Sequence, residues 1–217
     1  MDAEIQVMKK LAILCGLVFF ASSAAWAQDG DATRGQEISQ TCAACHGPDG
    51  NSPSGEFPSI AGQHEKYIAK QLRDYQLGNE TNGEQGRYNM LMADQVRGLS
   101  EQDIYDLAAY FSSQEHNILG TDLSEEELVA AQRLFLGGDE SRNITGCAAC
   151  HGPAGNGMNL AAFPMIGGQH VQYTQQQLEQ FRDEARINDP NGMMRDIASQ
   201  LTDADIELLS RYLSGLY

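Results

Sequence analysis

The feature that most constrains this chain is a five-residue word used twice, Cys42-Ala43-Ala44-Cys45-His46 and Cys147-Ala148-Ala149-Cys150-His151. Two thiols at this spacing can form thioether bonds to the two vinyl groups of one haem, and the adjoining histidine is then placed to bind the iron. The two copies account for every cysteine beyond Cys15. A redox dithiol, a disulfide pair and half of a zinc site use the same letters. A zinc ribbon, however, wants its two knuckles about 15 to 20 residues apart, and these stand about a hundred apart. A thioredoxin-like motif wants a βαβ setting, and none flanks either word. The expectation is covalent haem, one group per word and two haem c groups in all.

The first residues read as an address. Lys9 and Lys10 precede an apolar run from Leu11 to Phe20, and small residues lead to Ala25-Trp26-Ala27. These are the three regions of a secretory signal, with cleavage expected after Ala27. The run is shorter than the roughly 20 apolar residues of a membrane-spanning helix, which argues against a permanent anchor. Met8 is an alternative start, and Cys15 leaves with the signal. A secreted chain with this leader is expected in the periplasm. The net charge is −16. That argues against nucleic acid and anionic lipid, and suits a partner with a basic docking face, or else simply keeps the protein in solution.

Laid side by side, the two halves repeat, and the repeat sets the architecture. Residues 42–51 match 147–156, Phe57-Pro-Ser-Ile-Ala-Gly-Gln-His64 matches Phe163-Pro-Met-Ile-Gly-Gly-Gln-His170, and Tyr67, Gln71 and Leu72 match Tyr173, Gln177 and Leu178. Leu99 to Ile104 matches Leu201 to Ile206. The expected division is a signal over 1–27, an N-terminal domain over 28–115, a linker over 116–123 and a C-terminal domain over 124–217.

Both halves are expected to be all-α. Asp31 to Gln40 forms a short leading helix, and its counterpart runs from Ser124 to Leu136, opened by a capping-box pattern of Ser124 and Glu127. Helical spacing of Ile68, Leu72 and Tyr75 predicts a helix from Glu65 to about Gly78, and Tyr173, Leu178 and Phe181 predict one from Val171 to about Ala185. Ser100 caps Glu101 to Ser112, and Thr202 caps Asp203 to about Ser214. Halves this small bury little core of their own. A thioether-bound haem gives the short helices an apolar surface to wrap, which makes it a folding requirement.

The position opposite His46 or His151 decides the chemistry of the iron. Met92 lies eight residues before Ser100, and Met194 lies eight residues before Thr202. Met90, Met158, Met165 and Met193 have no such partners. The matched offset selects Met92 and Met194 as axial ligands, against the alternative that they fill core. His64 and His170 also match, which keeps bis-histidine ligation in view. They stand directly after Gly-Gln at a helix start, where polar residues are ordinary. His116 has no counterpart and is assigned no role. Pro58 and Pro164 follow the two motif histidines by twelve and thirteen residues, where a backbone carbonyl can take the second ring N–H of the ligand.

With these motifs the chain resembles the di-haem class I cytochromes c of the cytochrome c4 family. Both CAACH words, FPSIAGQH, FPMIGGQH, DIYDLAAYFSSQ and MMRDIA carry the resemblance, which runs from about Asp31 to Tyr217. It implies two tandem class I domains, each wrapped around one haem with His/Met ligation and a proline carbonyl on the histidine. The matching residues are His46, Met92 and Pro58, then His151, Met194 and Pro164. It also implies haems that face each other across the domain interface, and a periplasmic carrier, in some members loosely membrane-associated. Such a carrier passes electrons between a quinol–cytochrome c reductase and a terminal oxidase. Two other functions stay open on the residues themselves: the cytochrome subunit of a periplasmic dehydrogenase, and a di-haem peroxidase. The peroxidase needs one iron with an open site, and the matched methionines speak against it.

Overall fold

Each half opens on a helix that its first polar residue fixes. The computed structural model describes residues 29–217, and the expected signal, its cleavage after Ala27 and Cys15 lie outside them. The Asp31 carboxylate accepts the amides of Thr33 and Arg34 and starts α1 (Ala32–Ile38), a standard N-cap. A 3₁₀ turn over Ser39–Thr41 leads into α2 (Ala43–His46), a single turn made of the first motif. Then come α3 (Glu65–Glu80), α4 (Met90–Val96) and α5 (Glu101–Ser112). The second half repeats the order with α6 (Glu125–Gly137), α7 (Ala148–His151), α8 (Val171–Arg182), α9 (Met193–Ala198) and α10 (Asp203–Ser214). Reciprocal capping boxes begin α5, α6 and α10 through Ser100 with Asp103, Ser124 with Glu127, and Thr202 with Asp205.

The differences from the expected elements have local causes. Helix α8 stops at Arg182, short of Ala185, because Glu184 takes a left-handed φ of 56°. The short α4 and α9, which hold Met92 and Met194, carry too few apolar positions to show a period. Among the described residues the only β pairing is two isolated bridges, Asp139 with Ile144 and Met158 with Phe163. No helix among them is long and apolar enough to cross a membrane.

Two separate cores hold the two halves. In the first, Ile68 and Ala69 of α3 pack against Ile104, Leu107, Ala108 and Phe111 of α5. In the second, Ala131, Leu134 and Phe135 of α6 pack with Ile206, Leu209, Tyr212 and Leu213 of α10. Ile104, Leu107, Ala108 and Phe111 of α5, and Ile206, Leu209 and Leu213 of α10, recur at helical spacing, so the apolar face of each helix is the buried one. Helix α1 lies on α5 at the closest approach a backbone permits. A Cβ on Gly35 would stand 2.0 Å from the carbonyl oxygen of Asp106. The Asp106 carboxylate, fully buried, accepts the Asp31 amide at 2.7 Å and pairs with Arg34 Nε at 2.8 Å. In the second half Arg142 has the comparable task, joining Asp139 to Asp205 at the start of α10.

The halves meet through pairs related by the repeat. Gln63 Nε2 donates to the Met165 carbonyl at 2.8 Å, and its Oε1 accepts the Met165 amide at 2.9 Å. Gln169 does the same to Ser59, at 2.8 and 3.0 Å. His116, from the connecting segment, sits between the equivalent glycines. A Cβ on Gly62 would lie 3.2 Å from His116 Cβ, and one on Gly168 would lie 2.4 Å from His116 Nε2. Both glycines also need positive φ, 67° and 70°, so a side chain there meets strain as well as collision. The imidazole Nε2 lies 3.0 Å from the Gly167 carbonyl.

Candidate haem-binding sites

Each motif is wound into one helical turn, which sets the two thiols and the histidine in a fixed order around a short axis. His46 and Cys45 amides both return to the Cys42 carbonyl, at 3.0 and 3.2 Å, and His151 and Cys150 do the same to Cys147, at 2.9 and 3.2 Å. Gly47 and Gly152 end the turns with φ of 81° and 75°, and Gly47 has a further reason to be glycine, since a Cβ there would stand 2.2 Å from the Asn51 carbonyl oxygen. The cysteines are not joined in disulfides. Burial pushes the Cys147 thiol up to about 11 and raises Cys42 as well. These are neutral thiols, unlike the activated thiolate of a dithiol oxidoreductase. Among the described residues no group of three or more His, Cys, Asp and Glu side chains is arranged to hold a metal ion.

The two histidines are buried and identically held. His46 Nδ1 lies 2.8 Å from the Pro58 carbonyl, and His151 Nδ1 lies 2.9 Å from the Pro164 carbonyl. A carbonyl only accepts, so Nδ1 carries the proton in both rings and Nε2 keeps its lone pair. Burial lowers both pKa values, and the carbonyl contact offsets part of that effect. A neutral imidazole, oriented by a second bond on Nδ1, is the form in which histidine ligates a metal. The donor set therefore fits a haem c in each half: two thiols for the vinyl groups and an aimed imidazole for iron.

Met92 and Met194 stand in corresponding places. Both are half-buried, whereas Met90 is 73% and Met158 is 52% exposed. The amide of each is fixed by an acidic or amide side chain: Met92 N–H donates to Asn89 Oδ1 at 3.1 Å, and Met194 N–H donates to Asp189 Oδ2 at 3.0 Å. The other matched histidines are engaged elsewhere. His64 Nε2 lies 2.8 Å from the Asn156 carbonyl and His170 Nε2 lies 2.9 Å from the Ser52 carbonyl, each in the opposite half. They begin α3 and α8 as expected, and in addition tie one half to the other.

Sequence reasoning missed a buried polar cluster that also lies between the halves. Arg87 donates to Gln71 at 2.7 Å and to Tyr173 at 3.1 Å, and it reaches Gln177 as well. Arg186 mirrors it, donating to Gln177 at 2.8 Å, to Tyr67 at 3.0 Å and to Gln71 at 3.1 Å. The glutamines and tyrosines were visible as repeat matches. The arginines were not, because sixteen residues separate Gln71 from Arg87 and nine separate Gln177 from Arg186.

Comparison with known proteins agrees with this geometry. The sequence profile of the family described as cytochrome c matches twice, over residues 32–115 and 137–216. Cytochrome c4 from Stutzerimonas stutzeri is 41% identical over 215 residues, covering 98% of this chain and 99% of the relative. The thiosulfate dehydrogenase electron acceptor of Thiomonas intermedia is 31% identical over 202 residues, 92% of this chain and 87% of that protein. Among solved structures, reduced recombinant cytochrome c4 from Pseudomonas stutzeri superposes with a TM-score of 0.83 at 43% identity, covering 87% of this chain and all of that one. The duplicated fold, the two motifs and these matches agree on one assignment: the chain belongs to the cytochrome c4 family, electron-transfer proteins built of two tandem helical domains with two covalently bound haem c groups.

Proposed function

We propose that this protein is a periplasmic carrier that takes electrons from a quinol–cytochrome c reductase and delivers them to a terminal oxidase. Cys42 and Cys45 bind the first haem, with His46 and Met92 on its iron. Cys147 and Cys150 bind the second, with His151 and Met194. Pro58 and Pro164 hold the two histidines. The observation that carries this reading is the sameness of the two sites, from the His–carbonyl bond of 2.8 and 2.9 Å to the pinned methionine amides. A conduit needs two filled, low-spin irons, whereas a peroxidase needs one that opens. Residues 1–27 act as the export signal, 28–115 and 124–217 as the two domains, and 116–123 as the linker. A net charge of −16 suits redox partners that dock through basic faces, disfavours nucleic acid, and leaves membrane contact to the partner complexes.

The second reading, service to a periplasmic dehydrogenase, is favoured by one observation: the similarity to an electron acceptor of thiosulfate dehydrogenase. Stopped-flow mixing decides between them. The mature holoprotein is to be reduced by solubilised quinol–cytochrome c reductase and reoxidised by terminal oxidase at rates well above those with a thiosulfate-oxidising enzyme. The opposite ranking transfers the role to the dehydrogenase.

A further inference from the structure

Asn82, Asn156 and Asn191 are each followed by glycine, and all are exposed. An Asn-Gly pair favours a turn, and it also holds a latent reaction. The backbone nitrogen of the glycine can attack the side-chain amide carbon of the asparagine, with no Cβ in the way. How firmly that nitrogen is held decides the rate. Gly83 N–H donates to the Gly78 carbonyl and Gly157 N–H to the His151 carbonyl, both at 2.8 Å. Gly192 N–H reaches the Asp189 carbonyl only at 3.3 Å, longer than an ordinary N–H···O bond. Room to move separates the same pairs. A Cβ on Gly157 would stand 2.4 Å from the Phe163 carbonyl oxygen, and one on Gly83 would stand 3.4 Å from Tyr88 Cβ. One on Gly192 would meet nothing nearer than Arg195 Nη2 at 3.7 Å and Asp196 Oδ1 at 3.9 Å. Asn191 itself has φ 55° and ψ 21°, a left-handed break inside the 3₁₀ turn Pro190–Gly192. Asparagine tolerates that region without preferring it, so little holds the residue there.

We propose that Asn191–Gly192 is a site of spontaneous covalent modification, through which the second redox centre ages before the first. The Gly192 nitrogen bonds to the Asn191 side-chain carbon, gives its proton to solvent and expels the side-chain nitrogen as ammonia, leaving a cyclic imide. Water then opens the ring at either carbonyl, to aspartate or to isoaspartate. No electrons change hands: asparagine and water become an acid and ammonia. In isoaspartate the backbone runs through the side chain and is longer by one carbon. That carbon enters directly before α9, between Asp189 and the amides its carboxylate caps, those of Met194 and Arg195 at 3.0 Å. The first domain has no such weak point before Met92. Asn89 is followed by Met90, whose side chain hinders the attack, and its Oδ1 already accepts the amides of Leu91 and Met92. The effect on the second haem rests on Met194 as its ligand, whereas the modification does not.

The test is to age the full holoprotein in warm neutral buffer made with heavy-oxygen water and to follow its peptides by mass spectrometry, with backbone fragmentation telling isoaspartate from aspartate. Asn191 is expected to convert several-fold faster than Asn82 or Asn156, taking up the oxygen label, with isoaspartate the main product. In the urea-unfolded chain the three rates should converge. Equal rates in the folded protein, faster loss at Asn82 or Asn156, or an equal lead for Asn191 in the unfolded chain overturns the proposal. The sulfur–iron absorption band of the aged parent is to weaken in step with isoaspartate. Asn191→Gln, which closes the ring far more slowly, and freshly prepared Asn191→Asp, whose backbone has its normal length, should both keep the band. A band that stays whole while isoaspartate accumulates rejects the ageing of the second centre. If fresh Met194→Ala protein shows the same band as the fresh parent, the fault lies with the ligand assignment, and the rates at the three asparagines still decide the site.

Discussion

Gln169 clasps Ser59 through both of that residue's backbone groups, donating to its carbonyl at 2.8 Å and accepting its amide at 3.0 Å. Ser59 follows Pro58, whose carbonyl orients His46. A side chain of the second domain thus holds the loop that aims the histidine of the first, and Gln63 returns the favour at Met165, next to Pro164. Glutamine suits this position because its amide presents a donor and an acceptor side by side, on separate atoms, to the carbonyl and the N–H of one residue.

Gln169→Ala is therefore expected to lower the stability of the holoprotein by about 1–3 kcal/mol, the cost of leaving buried backbone groups unmet. Gln63→Ala should cost less, because Ser59 is 6% exposed while Met165 is only half-buried and water can replace part of the clasp. Thermal unfolding followed at the haem absorption checks the order. A Gln63 variant that proves the weaker of the two would contradict it.

Asp106 locks α1 to α5 in the first domain alone, because Leu208 occupies the matching place in the repeat. Its loss leaves Arg34 with Asp103 as its remaining acidic partner and the Asp31 amide without an acceptor. Arg34 is half-exposed, so water takes up much of its charge, and the expected cost of Asp106→Ala is about 1–3 kcal/mol. Asp106→Asn should recover part of it by still accepting the amide. Calorimetry that resolves the two domains should show the transition of the first domain moving and that of the second staying in place.

Much of this was legible in the sequence, and the limits have a physical pattern. The caps of α5, α6 and α10 were readable because capping chemistry is local: Ser100, Ser124 and Thr202 act on residues three positions away. The haem motifs were readable for the same reason. Met92 and Met194 emerged only through comparison of the halves, since nothing within α4 or α9 marks them. The interface was out of reach. Gln63, His64, Gln169 and His170 appear in the sequence as ordinary residues before a helix, and their partners lie about a hundred positions away. Arg87 and Arg186 escaped even the repeat, because α3 continues to Glu80 while α8 stops at Arg182, and the unequal lengths throw the two out of register.

His116 gives the interface a pH dependence. Burial lowers its pKa, only partly offset by the carbonyls of Gly167 and Ala61, and it packs between two glycines that leave no room to rearrange. The unfolded chain binds a proton near the ordinary histidine value of about 6.5, and the folded chain does so only at lower pH. Stability is thus full above about 6.5, falls as the pH drops toward the depressed folded value, and levels off below it. His116→Gln should flatten that part of the profile relative to the parent. Denaturation midpoints measured across the range check it, and parallel profiles would assign the slope to other groups.

Partner docking should respond to salt. With a net charge of −16, encounter with a basic redox partner is steered, and exposed charges are screened beyond about 8 Å at physiological ionic strength. Second-order rates of electron exchange should fall steeply as salt rises, while transfer between the two haems, inside one molecule, should not change. A bimolecular rate indifferent to salt would point to an apolar docking face.

The methionine helices supply the last test. Asn89 accepts the amides of Leu91 and Met92 at 3.0 and 3.1 Å and so fixes the first turn of α4. In the second domain Asp189 does this for Met194 and Arg195, both at 3.0 Å, and also pairs with Arg195. Asn89→Ala removes a cap worth about 1 kcal/mol. The methionine turn then frays, the thioether spends more time off the iron, and the sulfur–iron band of the first haem weakens. Asn89→Asp restores the acceptor and should restore the band. Asp189→Ala should do more damage in the second domain, because the Arg195 contact goes with it. Met92→Ala and Met194→Ala set the limit for each domain, abolishing its share of the band and lowering its haem potential, as loss of a thioether ligand requires. A band that survives Met92→Ala unchanged would remove Met92 from the iron, and with it the reason for Asn89 to stand where it does.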